Sequence, residues 1–149
     1  MRIRKANEDD IKKSLYIAKD LKEWFTKEAI KNMKIDFGVN NLAVIGDKHV
    51  QGFLCYCSDN GVFKIIWLGV EKKSWRKGIG GELVEWLVDE GKRAGATEIE
   101  VDTLTDEDKY EPYEITRDFY KKHGFKKMYV KKAVKKGWDD LDVMSKELK

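Results

Sequence analysis

The sequence predicts a single α/β domain spanning residues 1–149, in which an antiparallel sheet is followed by one parallel strand pair. Consecutive apolar segments separated by short polar turns indicate an antiparallel meander. A glycine-rich turn then connects the strand Val62–Val70 to an amphipathic helix, and a further strand follows at Ile99–Leu104. Such a strand–helix–strand unit places its two strands in parallel.

Composition excludes several classes of protein. Hydrophobic residues make up 42% and charged residues 38% of the chain, which is typical of a globular protein rather than a disordered or membrane protein. The net charge of +3 is too small for electrostatics alone to indicate nucleic-acid binding. The two cysteines and two histidines lack the spacing of a metal site, so we expect no metal. Without a membrane-length apolar run or a secretion signal, we expect a cytoplasmic protein.

The first half of the chain predicts two helices among four strands. After Asn7, a residue type favoured at helix N-caps, apolar residues recur at helical spacing as far as Phe25. Turn-forming residues then separate the strands. The expected elements are a strand at Arg2–Ala6, a helix after Asn7, a helix from Thr26 that ends before Gly38, and strands at Leu42–Ile45, Val50–Cys57 and Val62–Val70.

The second half predicts two helices and three strands. A stripe of apolar residues follows the glycine-rich turn, and Pro112 and Gly124 suit the beginning and the end of a later helix. The expected elements are a helix from Glu82, a strand at Ile99–Leu104, a helix at Tyr113–His123, and strands at Phe125–Val134 and Asp142–Leu148.

The segment 75–81 (WRKGIGG) has the composition of a phosphate-binding turn. Glycines let the backbone approach a ligand closely, and unpaired N–H groups at the start of the next helix carry the positive end of its dipole. Arg76 and Lys77 add full positive charges. The phosphate loop of nucleoside triphosphatases is excluded because no Lys-Ser or Lys-Thr follows Gly80. The dinucleotide-binding fingerprint is excluded because Leu83 occupies the position where it needs a third glycine or an alanine.

Two charged regions each admit a functional and a structural interpretation. The segment 105–111 is rich in carboxylates and is either a functional loop or a solvated one. Lysine pairs recur between Lys121 and Lys136. A solvated face is their expected role, and an anionic ligand or partner is the alternative.

Three segments resemble the GNAT superfamily of N-acetyltransferases, which use acetyl-coenzyme A. They are Leu68-Gly69-Val70, the segment 76–83 (RKGIGGEL) and the segment 116–125 (TRDFYKKHGF). The last follows the glycine turn by about forty residues, where that family places it. The resemblance implies a mixed, mostly antiparallel seven-stranded sheet with a central splayed parallel pair, flanked by about four helices.

The resemblance also implies which residues bind acetyl-coenzyme A as cosubstrate. The end of the strand before the glycine turn would pair with the pantetheine arm, and the turn itself would hold the pyrophosphate. Trp75 departs from the family pattern, which usually has Arg or Gln at that position. The expected cofactor-binding residues are Leu68, Gly69, Val70, Arg76, Lys77, Gly78, Ile79, Gly80, Gly81, Thr116 and Tyr120.

Direct attack of a neutral primary amine on the thioester is the mechanism that the resemblance implies. Tyr120 falls on the family's tyrosine position and would protonate the departing thiolate. Glu111 and Glu114 are the expected catalytic carboxylates, and Glu28 and Asp102 are further candidates for the general base.

The expected acceptor is a cationic amine, either a small molecule or a peptide N-terminus or lysine. The carboxylates of segment 106–114 would attract it, and Trp24 and Phe25 would offer an apolar wall. A non-catalytic acyl-coenzyme A sensor is the alternative function, and a nucleic-acid binder that uses the late lysines is a third. We expect no membrane partner, and a homodimer stays open because late strands in this fold often pair across a dimer.

Overall fold

The computed structural model describes residues 2–149. This part of the chain contains seven strands, four α-helices and one 3₁₀ turn. In chain order they are β1 (Ile3–Lys5), α1 (Glu8–Asp20), α2 (Lys27–Val39), β2 (Asn41–Ile45), β3 (Gly52–Asp59), β4 (Val62–Val70), the 3₁₀ turn (Lys72–Ser74), α3 (Ile79–Arg93), β5 (Glu98–Leu104), α4 (Glu111–Lys122), β6 (Lys126–Lys131) and β7 (Leu141–Glu147).

The strands form one mixed sheet with the order β1-β2-β3-β4-β5-β7-β6. Antiparallel pairing joins β1 to β2, β2 to β3, β5 to β7 and β6 to β7, whereas β4 and β5 are the parallel pair. The expected mixed sheet of seven strands with four helices is therefore confirmed. Among residues 2–149, no helix combines the length and the apolar composition needed to cross a membrane.

The chain divides into two compact units. The first comprises the chain up to Cys57 together with Ile65–Glu90, and the second comprises Ser58–Lys64 and Gly91–Lys149. Strand β4 contributes residues to both units because the division falls between Lys64 and Ile65.

In the first unit, Asn7 and Asp10 fix the start of α1. The Asn7 side chain accepts a hydrogen bond from the Asp10 N–H, and the Asp10 carboxylate accepts one from the Asn7 N–H, both at 2.9 Å. This reciprocal cap satisfies N–H groups that a helix start otherwise leaves unpaired. Asp10 is buried and also accepts hydrogen bonds from Arg4, which hold the pKa of its carboxyl below the usual range. An ion pair between the partly exposed Arg4 and the buried Asp10 thus joins β1 to α1.

The junction between α1 and α2 departs from the predicted helical spacing. Helix α1 ends at Asp20, although the apolar pattern continues to Phe25. The Leu21 carbonyl accepts hydrogen bonds from the N–H groups of Trp24 and Phe25, so residues 21–25 form a turn rather than a fourth helical turn. Thr26 then caps α2 by accepting from the Ala29 N–H at 3.1 Å.

Helix α2 extends through Gly38, where the sequence predicts that it ends before this residue. Met33 and Phe37 continue its apolar face and are 0% and 4% exposed. Burial of two large side chains contributes about 3 kcal/mol or more, which exceeds the roughly 1 kcal/mol that a glycine costs inside a helix. Packing therefore carries the helix to Val39.

Helix α3 begins at Ile79, three residues before the predicted start at Glu82. Ile79 and Gly81 are both buried, so the first turn of this helix is fixed by packing despite its glycines. Leu83, Val84 and Leu87, three residues of the predicted apolar stripe, are 0% exposed, whereas Ala94 at its far end lies beyond the helix and is exposed.

In the second unit, α4 begins at Glu111, and Pro112 lies in its first turn as predicted. The strand predicted at Phe125–Val134 is shorter, because β6 ends at Lys131. Beyond it, the Ala133 N–H donates to the Asp140 carboxylate at 2.8 Å and directs the chain into the turn before β7. Strand β6 lies at the end of the strand order, and all six of its residues are exposed.

Candidate active site

Near the end of β4, in the first unit, the backbone of Gly69 lies close to the ring of Phe53. A Cβ atom at Gly69 would come within 2.6 Å of two ring carbons of Phe53. Phe53 is 0% exposed, so its ring would have to shift within the core to admit a side chain, and this position therefore favours glycine. The glycine of the predicted cofactor-binding segment Leu68-Gly69-Val70 is therefore explained by packing within this unit.

Trp75 bends back onto the end of β4. Its indole Nε1 donates a hydrogen bond to the Val70 carbonyl at 2.8 Å, and its ring meets Trp24 edge-on at a centroid distance of 5.2 Å. The side chain is nevertheless 40% exposed. Trp75, which stands where the family usually has Arg or Gln, thus braces the strand end instead of presenting a charge. Lys72 adds a second link to the α1–α2 junction through Glu23 at 3.2 Å.

The turn that leads into α3 presents positive charge and unpaired backbone N–H groups. Arg76 (φ 65°) and Gly78 (φ 75°) adopt the left-handed region, and Arg76, Lys77 and Gly78 are exposed. The first bond of α3 runs from the Glu82 N–H to the Gly78 carbonyl, so the N–H groups of residues 79–81 have no acceptor within the helix. These donors and the two cations fit an anionic group such as a pyrophosphate.

Glu71 anchors the base of this turn. Its carboxylate accepts a hydrogen bond from the Ser74 hydroxyl at 2.6 Å and lies 3.1 Å from Nε2 of His49. Burial raises the pKa of Glu71, but the hydrogen bonds from Ser74 and His49 outweigh burial and the pKa is lowered overall. Glu71 is therefore ionised at neutral pH and holds the 3₁₀ turn in place.

Tyr120, the predicted proton donor, is buried in the second unit. Its ring packs edge-on against Phe125 at 5.3 Å and against Phe119 at 5.2 Å, and the residue is 4% exposed. Burial raises the pKa of its hydroxyl well above the usual value. Tyr120 therefore keeps its proton at neutral pH, which a proton donor requires. Thr116, one turn earlier, donates to the Pro112 carbonyl at 3.1 Å.

Arg117 organises the acidic loop between β5 and α4. The residue is 4% exposed, and its guanidinium donates to the carbonyls of Leu104 and Thr105, both at 2.9 Å, and of Asp108 at 2.8 Å. Sequence reasoning missed this role. Its position three residues before Tyr120, on the inward face of the same helix, is the signal that could have indicated burial.

The carboxylates of this loop have different surroundings. Asp106 lies 3.4 Å from Lys127, and its N–H donates to the buried Asp142 at 3.2 Å. Asp108 accepts from the Tyr110 N–H at 3.0 Å just before α4. These two aspartates, predicted to belong to a cluster that attracts the acceptor, also maintain the loop.

Glu111 and Glu114, the predicted catalytic carboxylates, both lie in the first turn of α4. Glu111 is exposed and Glu114 is half-buried. Neither forms an ion pair within residues 2–149, in contrast to Asp106. Their catalytic role stays a prediction.

Asp102, a further candidate for the general base, belongs to a charged cluster on β5. Its Oδ2 lies 3.0 Å from Nζ of Lys64 and 3.7 Å from Nζ of Lys131, and Glu100 lies 3.9 Å from the same Lys64 atom. Two lysine ammonium groups therefore already surround this carboxylate. Glu28, the remaining candidate, is exposed in the first turn of α2.

The surroundings of Cys55 and of the possible metal ligands can be described for residues 2–149. Burial raises the pKa of the Cys55 thiol to about 12, so this side chain is not a reactive thiolate. Within residues 2–149, no three His, Cys, Asp or Glu side chains are grouped so as to hold a metal ion.

Comparison with known proteins links this geometry to one family. Residues 39–127 match the model of the acetyltransferase (GNAT) domain. No curated protein matches the chain.

Solved structures with this fold include several acetyltransferases. A GNAT-family protein from Desulfovibrio desulfuricans has a TM-score of 0.82 at 20% identity, with 99% of this chain and 98% of that chain covered. The ribosomal-protein-S18-alanine N-acetyltransferase from Escherichia coli has a TM-score of 0.77 at 14% identity, with 98% of this chain and 92% of that chain covered. An aminoglycoside 6'-N-acetyltransferase in complex with coenzyme A has a TM-score of 0.74 at 19% identity, with 100% of this chain and 98% of that chain covered. At these identities the likeness establishes the fold.

Proposed function

We propose that this chain, which belongs to the GNAT acetyltransferase family, transfers an acetyl group from acetyl-coenzyme A to a primary amine. The observation that carries the proposal is the turn before α3, where exposed Arg76 and Lys77 flank helix N–H groups that have no acceptor within the helix. An anion with several phosphate oxygens suits such a turn.

In the first unit, the cosubstrate would be held by backbone more than by side chains. Arg76, Lys77 and the N–H groups of residues 78–81 would bind the pyrophosphate, and the backbone of Leu68, Gly69 and Val70 would pair with the pantetheine arm. The bound cosubstrate supplies the acetyl group as a thioester. In the second unit, Thr116 and Tyr120 are the proposed contacts.

Tyr120 would donate its proton to the sulfur that leaves when the amine attacks. Its place in the segment 116–125, which resembles the family's tyrosine-bearing segment, supports this role, and the raised pKa keeps the hydroxyl protonated at neutral pH. Glu111 or Glu114 would take the proton that the amine must lose, directly or through water. We assign this role to Glu111 and Glu114 because neither carboxylate forms an ion pair within residues 2–149, whereas Asp106 is paired with Lys127.

The proposed acceptor is an amine that is cationic in solution. Two structural neighbours carry names that specify acceptors, one an alanine of ribosomal protein S18 and the other an aminoglycoside. Their shared chemistry, an amine attacking a thioester, is what we transfer to this chain. The acceptor itself would be a small-molecule amine, a peptide N-terminus or a lysine side chain.

Release of free thiol from acetyl-coenzyme A tests this function. We would measure it with an aminoglycoside, a polyamine, an alanine-terminated peptide and a lysine peptide, and we expect turnover with at least one. Tyr120→Phe keeps the ring and should lower turnover on the order of 10²-fold with little change in cosubstrate affinity. Phe119→Leu is the control for altered packing beside the tyrosine. Thermal stabilisation by acetyl-coenzyme A without turnover on any amine would instead indicate the acyl-coenzyme A sensor.

A further inference from the structure

Two tyrosines form an aromatic pair at the start of α4, within the second unit. The rings of Tyr110 and Tyr113 meet edge-on at a centroid distance of 4.7 Å. Tyr110 is 46% exposed and Tyr113 is half-buried, so part of the ring surface is open to solvent. Within residues 2–149, neither hydroxyl group has a hydrogen-bond partner. Both hydroxyl oxygens are therefore available to accept a hydrogen bond from a ligand.

The charged groups that act on this pair are carboxylates. Burial raises the pKa of the Tyr113 hydroxyl, and Asp108, Tyr110 and Asp139 raise it further. A negative local potential, which disfavours a phenolate, favours a cation at the same place. The electrostatic surroundings of the pair therefore suit an ammonium group.

The positive groups of this region are directed elsewhere or opposed. Lys109 donates a hydrogen bond to the Asp106 carbonyl at 2.9 Å, and Lys135 lies 5.4 Å from the centre of the Trp138 ring. The positive end of the α4 dipole is opposed by the two glutamates of its first turn. An ammonium group of a ligand beside the tyrosine pair would therefore be attracted.

The position of the pair on α4 relates it to the proposed proton donor. Tyr113 and Tyr120 lie seven residues apart on this helix, so they share one face and are separated by about 10 Å along the axis. In the proposed function, Tyr120 protonates the sulfur beside the carbonyl that the amine attacks. A ligand whose amine attacks there can also reach the tyrosine pair if it has a second polar group roughly 10 Å away.

We propose that the Tyr110–Tyr113 pair binds a second ammonium group of the acceptor, so that the acceptor is an aliphatic diamine or polyamine with two amines roughly 10 Å apart. The tyrosine ring faces attract the ammonium group, and the free hydroxyl oxygens accept hydrogen bonds from it. The inference rests on the proposed function for the place of the reacting amine. Binding of the second amine requires no chemistry and can be measured without turnover.

The test compares two ligands by isothermal titration calorimetry with coenzyme A present. They are 1,7-diaminoheptane, which when extended matches the separation on α4, and 7-aminoheptan-1-ol, which has a hydroxyl group in place of the second ammonium group. The wild type should bind the diamine about tenfold more tightly. The shorter 1,3-diaminopropane cannot reach both places and should have no such advantage over 3-aminopropan-1-ol.

Variants of the tyrosine pair locate the source of this preference. Tyr110→Leu/Tyr113→Leu should remove most of the advantage of the long diamine, whereas Tyr113→Phe keeps the ring and should retain most of it. Tyr16→Leu is the matched control, because it makes the same change at a tyrosine of α1 that is 77% exposed. Melting curves verify folding, and if the double variant does not fold, Tyr110→Leu alone carries the test at an exposed position.

Two outcomes would overturn the diamine site. The wild type could bind 1,7-diaminoheptane and 7-aminoheptan-1-ol equally, or Tyr110→Leu/Tyr113→Leu could keep the full preference, which would then arise elsewhere. Thiol release from acetyl-coenzyme A with the same compounds tests the proposed function separately. Selective binding without turnover on any amine would support the diamine site and refute acetyl transfer, whereas turnover without selectivity would refute the diamine site alone.

Discussion

The loop before α3 and the loop before α4 both concentrate charge, but the chain uses them differently. In the first loop, Arg76 and Lys77 project into solvent and the N–H groups at the start of α3 have no acceptor within the helix. In the second loop, Arg117 binds three carbonyls, while Asp106 and Asp108 are occupied by the fold. Polar groups that the fold leaves unused remain available to a ligand, and the comparison therefore favours the first loop as a binding element.

Removing the Arg117 guanidinium should have the largest effect. Arg117→Met leaves three carbonyls without their donor, and we expect the free energy of unfolding to fall by about 3 kcal/mol and the melting temperature by roughly 6–12 °C. Arg76→Met makes the same change at an exposed position and should alter stability by less than about 0.5 kcal/mol. Equal melting temperatures of the two variants would contradict the structural role of Arg117.

Cosubstrate binding tests the first loop directly. Acetyl-coenzyme A at about one hundred times its dissociation constant should stabilise the protein by ~2.7 kcal/mol and raise the melting temperature by roughly 5–10 °C. Gly80→Val should remove most of this shift, because a branched side chain crowds the backbone donors. Gly38→Val, at an exposed helical glycine with open space around it, should keep the shift. An unchanged wild-type melting temperature at saturating ligand would refute the cosubstrate assignment.

Neutralising carboxylates near the second loop can distinguish those that bind other parts of the protein from those that are free to bind the acceptor. Glu111→Gln/Glu114→Gln should raise the Michaelis constant for a cationic amine by several-fold and steepen the dependence of rate on pH between pH 6 and 9. Asp106→Asn/Asp108→Asn should act mainly on stability, since these side chains hold the loop. If Glu111→Gln/Glu114→Gln retained wild-type kinetics across this pH range, the acceptor would bind elsewhere.

The smallest expected effect is a pH dependence at the base of the first loop. Because the pKa of Glu71 is lowered in the folded protein, its contribution is present above the unfolded value and is lost as pH falls through the folded value. Acidification below about pH 4.5 should therefore destabilise the wild type slightly more than Glu71→Gln. Melting temperatures of both proteins between pH 7 and 3 provide the measurement, and parallel curves would argue against this role of the Glu71 carboxylate.

Local signals made part of this structure predictable. Both ends of β4 follow from the sequence, because Asn60 and Gly61 adopt positive φ in the turn before it and charged residues follow Val70. The glycine turn and the start of α3 lie where glycines and basic residues occur together. Because Ile79 is buried, the helix begins at Ile79 and not at the predicted Glu82. Neighbouring residues determine these features.

Long-range contacts were not predictable in the same way. Arg117 acts on carbonyls 9–13 residues earlier in the chain, and Trp75 closes the end of β4 by contacting Trp24. Helix α2 continues through Gly38 because Phe37 is buried by other parts of the first unit. In each case the partner is defined only once the chain has folded.

The exposed strand β6 also affects how the protein behaves at high concentration. An edge strand offers unpaired backbone groups to any other strand edge, and Met128, Tyr129 and Val130 are 62%, 57% and 37% exposed. Lys126, Lys127 and Lys131 surround this short apolar run. Their charges and their desolvation cost oppose edge-to-edge addition of other chains, which is how natural sheets avoid aggregation. We therefore expect the lysines of β6 to oppose association between exposed strand edges at high concentration.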